Sequence, residues 1–223
     1  MFTRCGNGLR TWRIGRFRDG FLMRFAALCI SYGLPLLAYQ SRCEYNSNMT
    51  DYRRNRVPGG TFFFTVNLYD RQSRLLAQHI DALRNAVRQI QRRAPFHIDA
   101  WVVLPEHMHA LWTLPEDDTD YARRWNAIKT DFSRNLPPGE YRSASRKIRR
   151  ERGIWQRRFW EHTIRDDQDY ANHMDYIHFN PVRHRLVEQV ADWPFSSFHR
   201  AVAKGQYARE WAVNVELEDA GEP

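Results

Sequence analysis

A chain of 223 residues that is 43% hydrophobic and 14% aromatic can bury one sizeable core, which excludes a disordered chain. Its 11 Gly and 10 Pro exclude a collagen-like or linker-type sequence. The formal net charge is +8, with 34 basic and 26 acidic residues, and no run of about 18 uncharged apolar residues suggests a membrane span.

The charge and the cysteines are unevenly placed. Residues 1–48 hold Cys5, Cys29 and Cys43, and seven arginines against Asp19 and Glu44. Arg10, Arg13, Arg16, Arg18 and Arg24 precede an apolar run over 25–39, the order of a signal peptide, but no Ala-x-Ala site follows. The expectation is a non-domain extension, with the domain over 49–223 and its true start at Met49. That domain has no cysteine, so it has no disulfide, thiolate zinc site or catalytic thiol. Any metal there must use His, carboxylate or amide ligands.

From Met49 onward strand and helix alternate. Residues 61–68 (TFFFTVNL) are aromatic and β-branched and predict a buried strand. Ile80, Leu83, Val87 and Ile90 sit at spacings of three and four, so 78–93 reads as an amphipathic helix stopped by Pro95. Residues 97–104 and 107–114 read as two strands joined by Pro105 and Glu106. Tyr121, Trp125, Ile128 and Phe132 mark a helix over 120–135. Residues 142–158 read as a loop with eight basic residues and one acid, Glu151. A fourth strand is expected over 159–165 and a helix over 166–180, ended by Pro181. The order predicts an α+β fold, a ferredoxin-like β-α-β-β-α-β sandwich with an antiparallel sheet and an appended C-terminal helix carrying Tyr176.

Two places concentrate the chemistry. His107 and His109 flank Met108 on a predicted strand, so both imidazoles project to one face and Met108 to the other. Such a pair can hold a divalent metal, although a His-x-His is also found as two surface histidines. Tyr176 and Asn180 are four apart on a predicted helix and share a face. A tyrosine can serve as an oxygen nucleophile, and an amide oxygen can complete a hard ligand set with two imidazoles. The plainer reading is a core aromatic and a helix-end residue before Pro181.

Charge and aromatic residues suggest nucleic acid. Arg142, Arg146, Lys147, Arg149, Arg150, Arg152, Arg157 and Arg158 can neutralise phosphates, and Arg53, Arg54 and Arg56 form a second basic patch. Trp155 and Trp160 either stack on unpaired bases or belong to the core.

These segments carry a resemblance. WVVLPEHMHALWTLPE from Trp101 to Glu116 resembles the His-hydrophobic-His (HUH) strand of single-tyrosine transposases. IWQRRFWEH from Ile154, DYIHFNPV from Asp175 and DWPFSSFH from Asp192 resemble the REP-associated tyrosine transposases, an IS200-like group of bacterial enzymes. The likeness runs in order from about Asp51 to about Trp211.

The resemblance implies a nucleophile at Tyr176 and metal ligands at His107 and His109, with Asn180 as the third. It implies Mg²⁺ or Mn²⁺, and a partner that is single-stranded or hairpin DNA of the repetitive extragenic palindrome (REP) type. The expected protein is cytoplasmic, without a membrane partner, a monomer or homodimer, and it cuts and joins DNA through a 5′-phosphotyrosine. No base for Tyr176 is evident, with His173 and His178 on the same helix as candidates. Two other classes stay open on the residues alone: a non-catalytic hairpin DNA/RNA-binding protein with the same fold, and a metal hydrolase that forms no covalent intermediate.

Overall fold

The computed structural model describes residues 54–212. The expected extension 1–48 and Arg53 lie outside the described residues. In chain order the elements are β1 (Thr61–Asn67), α1 (Leu75–Gln78), α2 (Ile80–Arg93), β2 (His97–Val103), β3 (His107–Thr113), α3 (Tyr121–Arg134) and α4 (Ala144–Ile148). Then follow β4 (Trp160–Thr163), α5 (Asp167–Arg183), a 3-10 turn (Val190–Asp192) and α6 (Phe198–Ala203). The four strands form one antiparallel sheet in the order β2-β3-β1-β4, the arrangement of the expected ferredoxin-like sandwich.

The central strands are buried on both faces, which is why β1 and β3 read as almost unbroken apolar runs. Phe62, Phe64 and Val66 of β1 and Met108, Ala110 and Trp112 of β3 pack with α2 and α3. There Trp112 and Trp125 stack at 4.1 Å, and such a pair adds about 0.5–1.5 kcal/mol beyond its buried area. Phe63 and Leu111 point to the opposite face, under Met174 and Ile177 of α5. The two-residue period therefore sends His107 and His109 to the α5 side and Met108 to the α2/α3 side.

Helix α5 is fixed to the sheet along its length. Asp166 caps it, accepting the Asp169 N–H at 2.8 Å, and Asp167 and Asp169 place acid at its N-terminal end. Tyr170 donates its hydroxyl hydrogen bond to Asp99 of β2 at 3.1 Å. The open edge of β2 is covered by the chain around Ser196, where Val103 N–H donates to the Phe195 carbonyl and Ser197 N–H to the Trp101 carbonyl.

Three expected boundaries differ. The helix expected over 78–93 begins at Ile80 as α2, and a separate short helix, α1, precedes it. The basic segment expected as a loop contains the short helix α4. The helix expected to stop before Pro181 runs through it to Arg183. Proline removes one helical N–H, but the helix closes immediately after it. Arg185 takes a left-handed φ of 54°, Leu186 N–H donates to the Pro181 carbonyl, and Arg185 N–H donates to the Val182 carbonyl. That paired closure satisfies the last carbonyls and turns the chain back.

Candidate active site

The site is the seam between β3 and α5. His107 and His109 are each 3% exposed, and their rings lie 4.9 Å apart. One ring nitrogen of each is tied to a neighbour. His107 Nδ1 lies 2.8 Å from Glu106 Oε1, and His109 Nδ1 lies 2.9 Å from Thr65 Oγ1 on β1. Each imidazole is thereby oriented with Nε2 turned away from its tether, the usual preparation of a metal-ligating histidine. His109 Nε2 is buried with no hydrogen-bond partner.

Electrostatics keep His109 ready to act as a ligand. Burial is the main cause that pushes the His109 imidazole well below its ordinary value, reinforced by electrostatic interaction with His107, His184, Arg183 and Arg71 nearby. It is neutral at physiological pH and keeps a lone pair. Burial works to raise the Glu106 carboxyl, but the His107 hydrogen bond and charge, with Arg71, hold it below the ordinary value. Arg71 approaches Glu106 to 3.7 Å and donates a hydrogen bond to Asn67.

Helix α5 supplies the opposite wall. Tyr176 is 36% exposed, and its ring lies 5.2 Å from His109 and 5.8 Å from Phe63. The Arg183 guanidinium lies 5.6 Å from the centre of the same ring. One turn beyond Tyr176, Asn180 is fully buried, and both its amide oxygen and its amide nitrogen lack a partner. One more turn brings His184 to 5.1 Å from His107. Tyr176, Asn180 and His184, four apart, thus line one stripe of α5 that faces the two histidines.

An unpaired buried amide is costly, about 1–3 kcal/mol per group, and native structures rarely tolerate one without a purpose. Here the orphaned groups are an amide and an imidazole nitrogen, a donor set suited to a divalent cation. His109 and Asn180 therefore fit such an ion on the chemistry of their unpaired atoms, and His107 fits it as the neighbouring imidazole, 4.9 Å from His109.

The other candidates are dispersed. His178 is fully buried, contacts Ser197 Oγ at 3.1 Å and packs on Phe198 and Tyr207, on a different side of the helix from Tyr176. Burial lowers its imidazole to about 4. His173 packs on Phe63, as Tyr176 does. Trp155 is a core residue whose indole N–H donates to Ser133 Oγ. Trp160 is half-buried and packs edge-on against Phe63.

The basic segment divides into structural and exposed members. Arg142 donates to the Glu151 carbonyl. Arg146 is buried, lies over the Tyr69 ring at 4.3 Å and donates to the Trp155 carbonyl. Arg152 is clamped by Glu140 and the carbonyls of Ser133, Leu136 and Pro137. Arg157 pairs with both oxygens of Glu151. Lys147, Arg149, Arg150 and Arg158 are exposed. At the domain start, Arg54 lies over the Phe159 ring at 4.5 Å, near Glu161, and Arg56 is exposed.

The Arg152 hydrogen bond is the main cause that lowers the Glu140 carboxyl from 4.5 to about 2. A depressed carboxyl stabilises the fold above its unfolded value, and that contribution is lost as pH falls from about 5 toward 2. Glu140→Gln should therefore lower the urea midpoint at pH 7 and flatten its fall across that acid range. An unchanged acid limb would contradict the clamp.

Sequence reasoning missed Thr65, Glu106, Arg71, Arg183 and His184. Thr65 becomes a tether only through its register opposite His109, which nothing local announces. Arg183 and His184 were legible at helical spacing from Tyr176, but the helix was expected to stop at Pro181.

Comparison with known proteins identifies the family. The family model described as "Transposase IS200 like" matches residues 62–180. The REP-associated tyrosine transposase of Escherichia coli K12 is 50% identical over 174 residues, covering 78% of this chain and 98% of its own. A relative from Haemophilus influenzae with the same family name is 48% identical over 176 residues, covering 78% of this chain and 99% of its own. The solved structure of a REP-associated tyrosine transposase bound to a REP hairpin matches with a TM-score of 0.65 at 50% identity, covering 78% of this chain and 98% of that one. A half-exposed tyrosine set against two buried histidines, on a fold and sequence shared with these relatives, shows that the chain belongs to the IS200-like transposases, among the REP-associated tyrosine transposases.

Proposed function

We propose that the protein cuts and rejoins single-stranded DNA beside REP-type palindromic hairpins, through a 5′-phosphotyrosine on Tyr176. The observation that carries this reading is the seam itself: an exposed phenol packed on His109, with the unpaired Asn180 amide one turn away. Tyr176 Oη attacks phosphorus, a new P–O bond forms, and the bond to the 3′-oxygen breaks. The phenolic proton leaves, and the 3′-oxygen takes up a proton to become a free hydroxyl. The covalent ester keeps the bond energy, so a second 3′-hydroxyl can reverse the step without ATP.

When bound by His107, His109 and Asn180, Mg²⁺ or Mn²⁺ supplies charge neutralisation at a phosphate oxygen. The chain's own part is positional. Glu106 and Thr65 fix the two imidazoles, and Phe63 supports the Tyr176 ring. A free phenol ionises near pH 10, so attack needs help in shedding the proton. The Arg183 cation, 5.6 Å from the centre of the Tyr176 ring, offers positive charge to the phosphate that meets the phenol. A chromosomal DNA substrate places the reaction in the cytoplasm.

The exposed cations are the duplex grip of this reading. Each phosphate contact contributes about 0.9 to the slope of log K against log salt on duplex DNA. Replacing Lys147, Arg149, Arg150 and Arg158 together by alanine should reduce that slope for a hairpin by about 3.6 units if each meets one phosphate. A slope that does not move assigns the hairpin to another face. The arginines used internally, Arg146 and Arg152, would show their loss first as lowered stability.

The reading is tested on a denaturing gel with end-labelled hairpins carrying a short single-stranded foot, with Mg²⁺, Mn²⁺ or chelator. Metal-dependent cutting that leaves a protease-sensitive adduct on the 5′ end is expected. Binding without cutting under any metal would leave a hairpin-binding protein.

A further inference from the structure

A second convergent cluster lies on the same helix, one to two turns before Tyr176. His162 of β4 and Asp169 and His173 of α5 offer ligand atoms that all lie within 4.8 Å of one another. His162 Nε2 is 2.8 Å from Asp169 Oδ2, and His173 Nδ1 is 3.1 Å from Asp169 Oδ1. The two imidazoles stack at 4.8 Å, with planes only 17° apart. We propose that His162, Asp169 and His173 form a second metal site, for a zinc-class divalent ion, that pins the N-terminal half of α5 to β4.

The donor set selects the ion. Two imidazoles and one carboxylate suit Zn²⁺, Co²⁺ or Mn²⁺ better than Mg²⁺, which prefers oxygen. Zinc bonds of about 2.0–2.2 Å put two donors roughly 3–3.5 Å apart. The imidazole–carboxylate contacts of 2.8 and 3.1 Å therefore need little adjustment, while the full set, with ligand atoms within 4.8 Å of one another, must draw together on binding. The donors stand on rigid elements: His162 is paired with Phe63 in the sheet, and Asp169 and His173 are one helical turn apart.

Their ionisation suits ligation. Burial opposes the Asp169 charge, but His162 and Arg165 hold its carboxyl below the ordinary value. Burial is also the main cause that lowers the His173 imidazole, so it is neutral. Ligation requires His162 to carry its proton on Nδ1 and His173 on Nε2. His173 then gives up its 2.8 Å contact with the Asp169 carbonyl. The His162 side chain is 22% exposed, which gives an ion access.

One group competes. The Arg165 guanidinium donates to Asp169 Oδ2 at 3.2 Å, but its side chain is 62% exposed and can swing into solvent. A purely structural hydrogen-bond network would be weakened by losing Arg165. A metal site would be strengthened.

The test is Co²⁺ and Zn²⁺ titration of the full chain, with binding followed by calorimetry and by Co²⁺ absorption. His107→Ala/His109→Ala silences the first site. That variant should still bind one equivalent that His162→Gln removes, and Zn²⁺ should raise its melting temperature only while His162 is present. Arg165→Ala should tighten the binding about fivefold, the size expected from removing one nearby exposed charge. If the double variant does not fold, His162→Gln in the otherwise native chain should cost one equivalent. No equivalent lost on His162→Gln overturns the proposal. Binding lost with His162 but unchanged by the loss of His107 and His109 would leave this site standing and count against the ligand role of the first.

Discussion

On the proposed mechanism, Tyr176→Phe should abolish DNA cleavage and leave hairpin affinity unchanged. The phenylalanine keeps the ring contacts with His109 at 5.2 Å and Phe63 at 5.8 Å, so the seam stays packed. Only the attacking oxygen is lost. Removing a covalent nucleophile costs on the order of 10⁴-fold or more, below the limit of a gel assay. Parallel cleavage and filter-binding measurements check it. Cleavage that survives in the variant would transfer the chemistry to a water nucleophile and make the protein a metal hydrolase.

If Asn180 is the proposed third ligand, Asn180→Ala should move stability and activity in opposite directions. Asn180 is fully buried with neither amide atom bonded, in the last turn of α5. Alanine removes two orphaned groups and has the better helix propensity, while the cavity it leaves is small. Without metal, the variant should be about 1–2 kcal/mol more stable, a rise of a few degrees in melting temperature. Cleavage should fall about 100-fold, because the amide oxygen no longer completes the ligand set with His107 and His109. Melting in chelator and a cleavage time course read the two effects. A variant that is less stable and fully active would make Asn180 a structural residue.

The parts of the site legible in the sequence are those fixed by local periodicity. A two-residue period puts His107 and His109 on one face whatever lies beyond the strand, and a spacing of four puts Tyr176 and Asn180 on one side of a helix. Neither rule says that the two faces meet. That depends on α5 crossing the face of the sheet opposite α2 and α3, which long-range packing around Phe63, Leu111 and Ile177 decides. Pro181 was a stop signal overridden by the closure at Arg185, so His184 and Arg183 stayed hidden. The basic segment read as one uniform patch. Glu140 and Glu151 divide it, drawing Arg152 and Arg146 inward, tying Arg157 at the surface and leaving Lys147, Arg149, Arg150 and Arg158 outside. Charge composition cannot carry that distinction, because it depends on which carbonyls the helix ends present.

The central claim is that the broken phosphodiester passes through Tyr176. It is tested most directly by trapping the reaction on a hairpin substrate, digesting the protein and sequencing the DNA-linked peptide by mass spectrometry. The account predicts one nucleotide-bearing peptide, spanning Tyr176, with the DNA joined through its 5′ phosphate. A linkage at any other residue, or cleavage that yields free 5′-phosphate ends with no linked peptide, would contradict it.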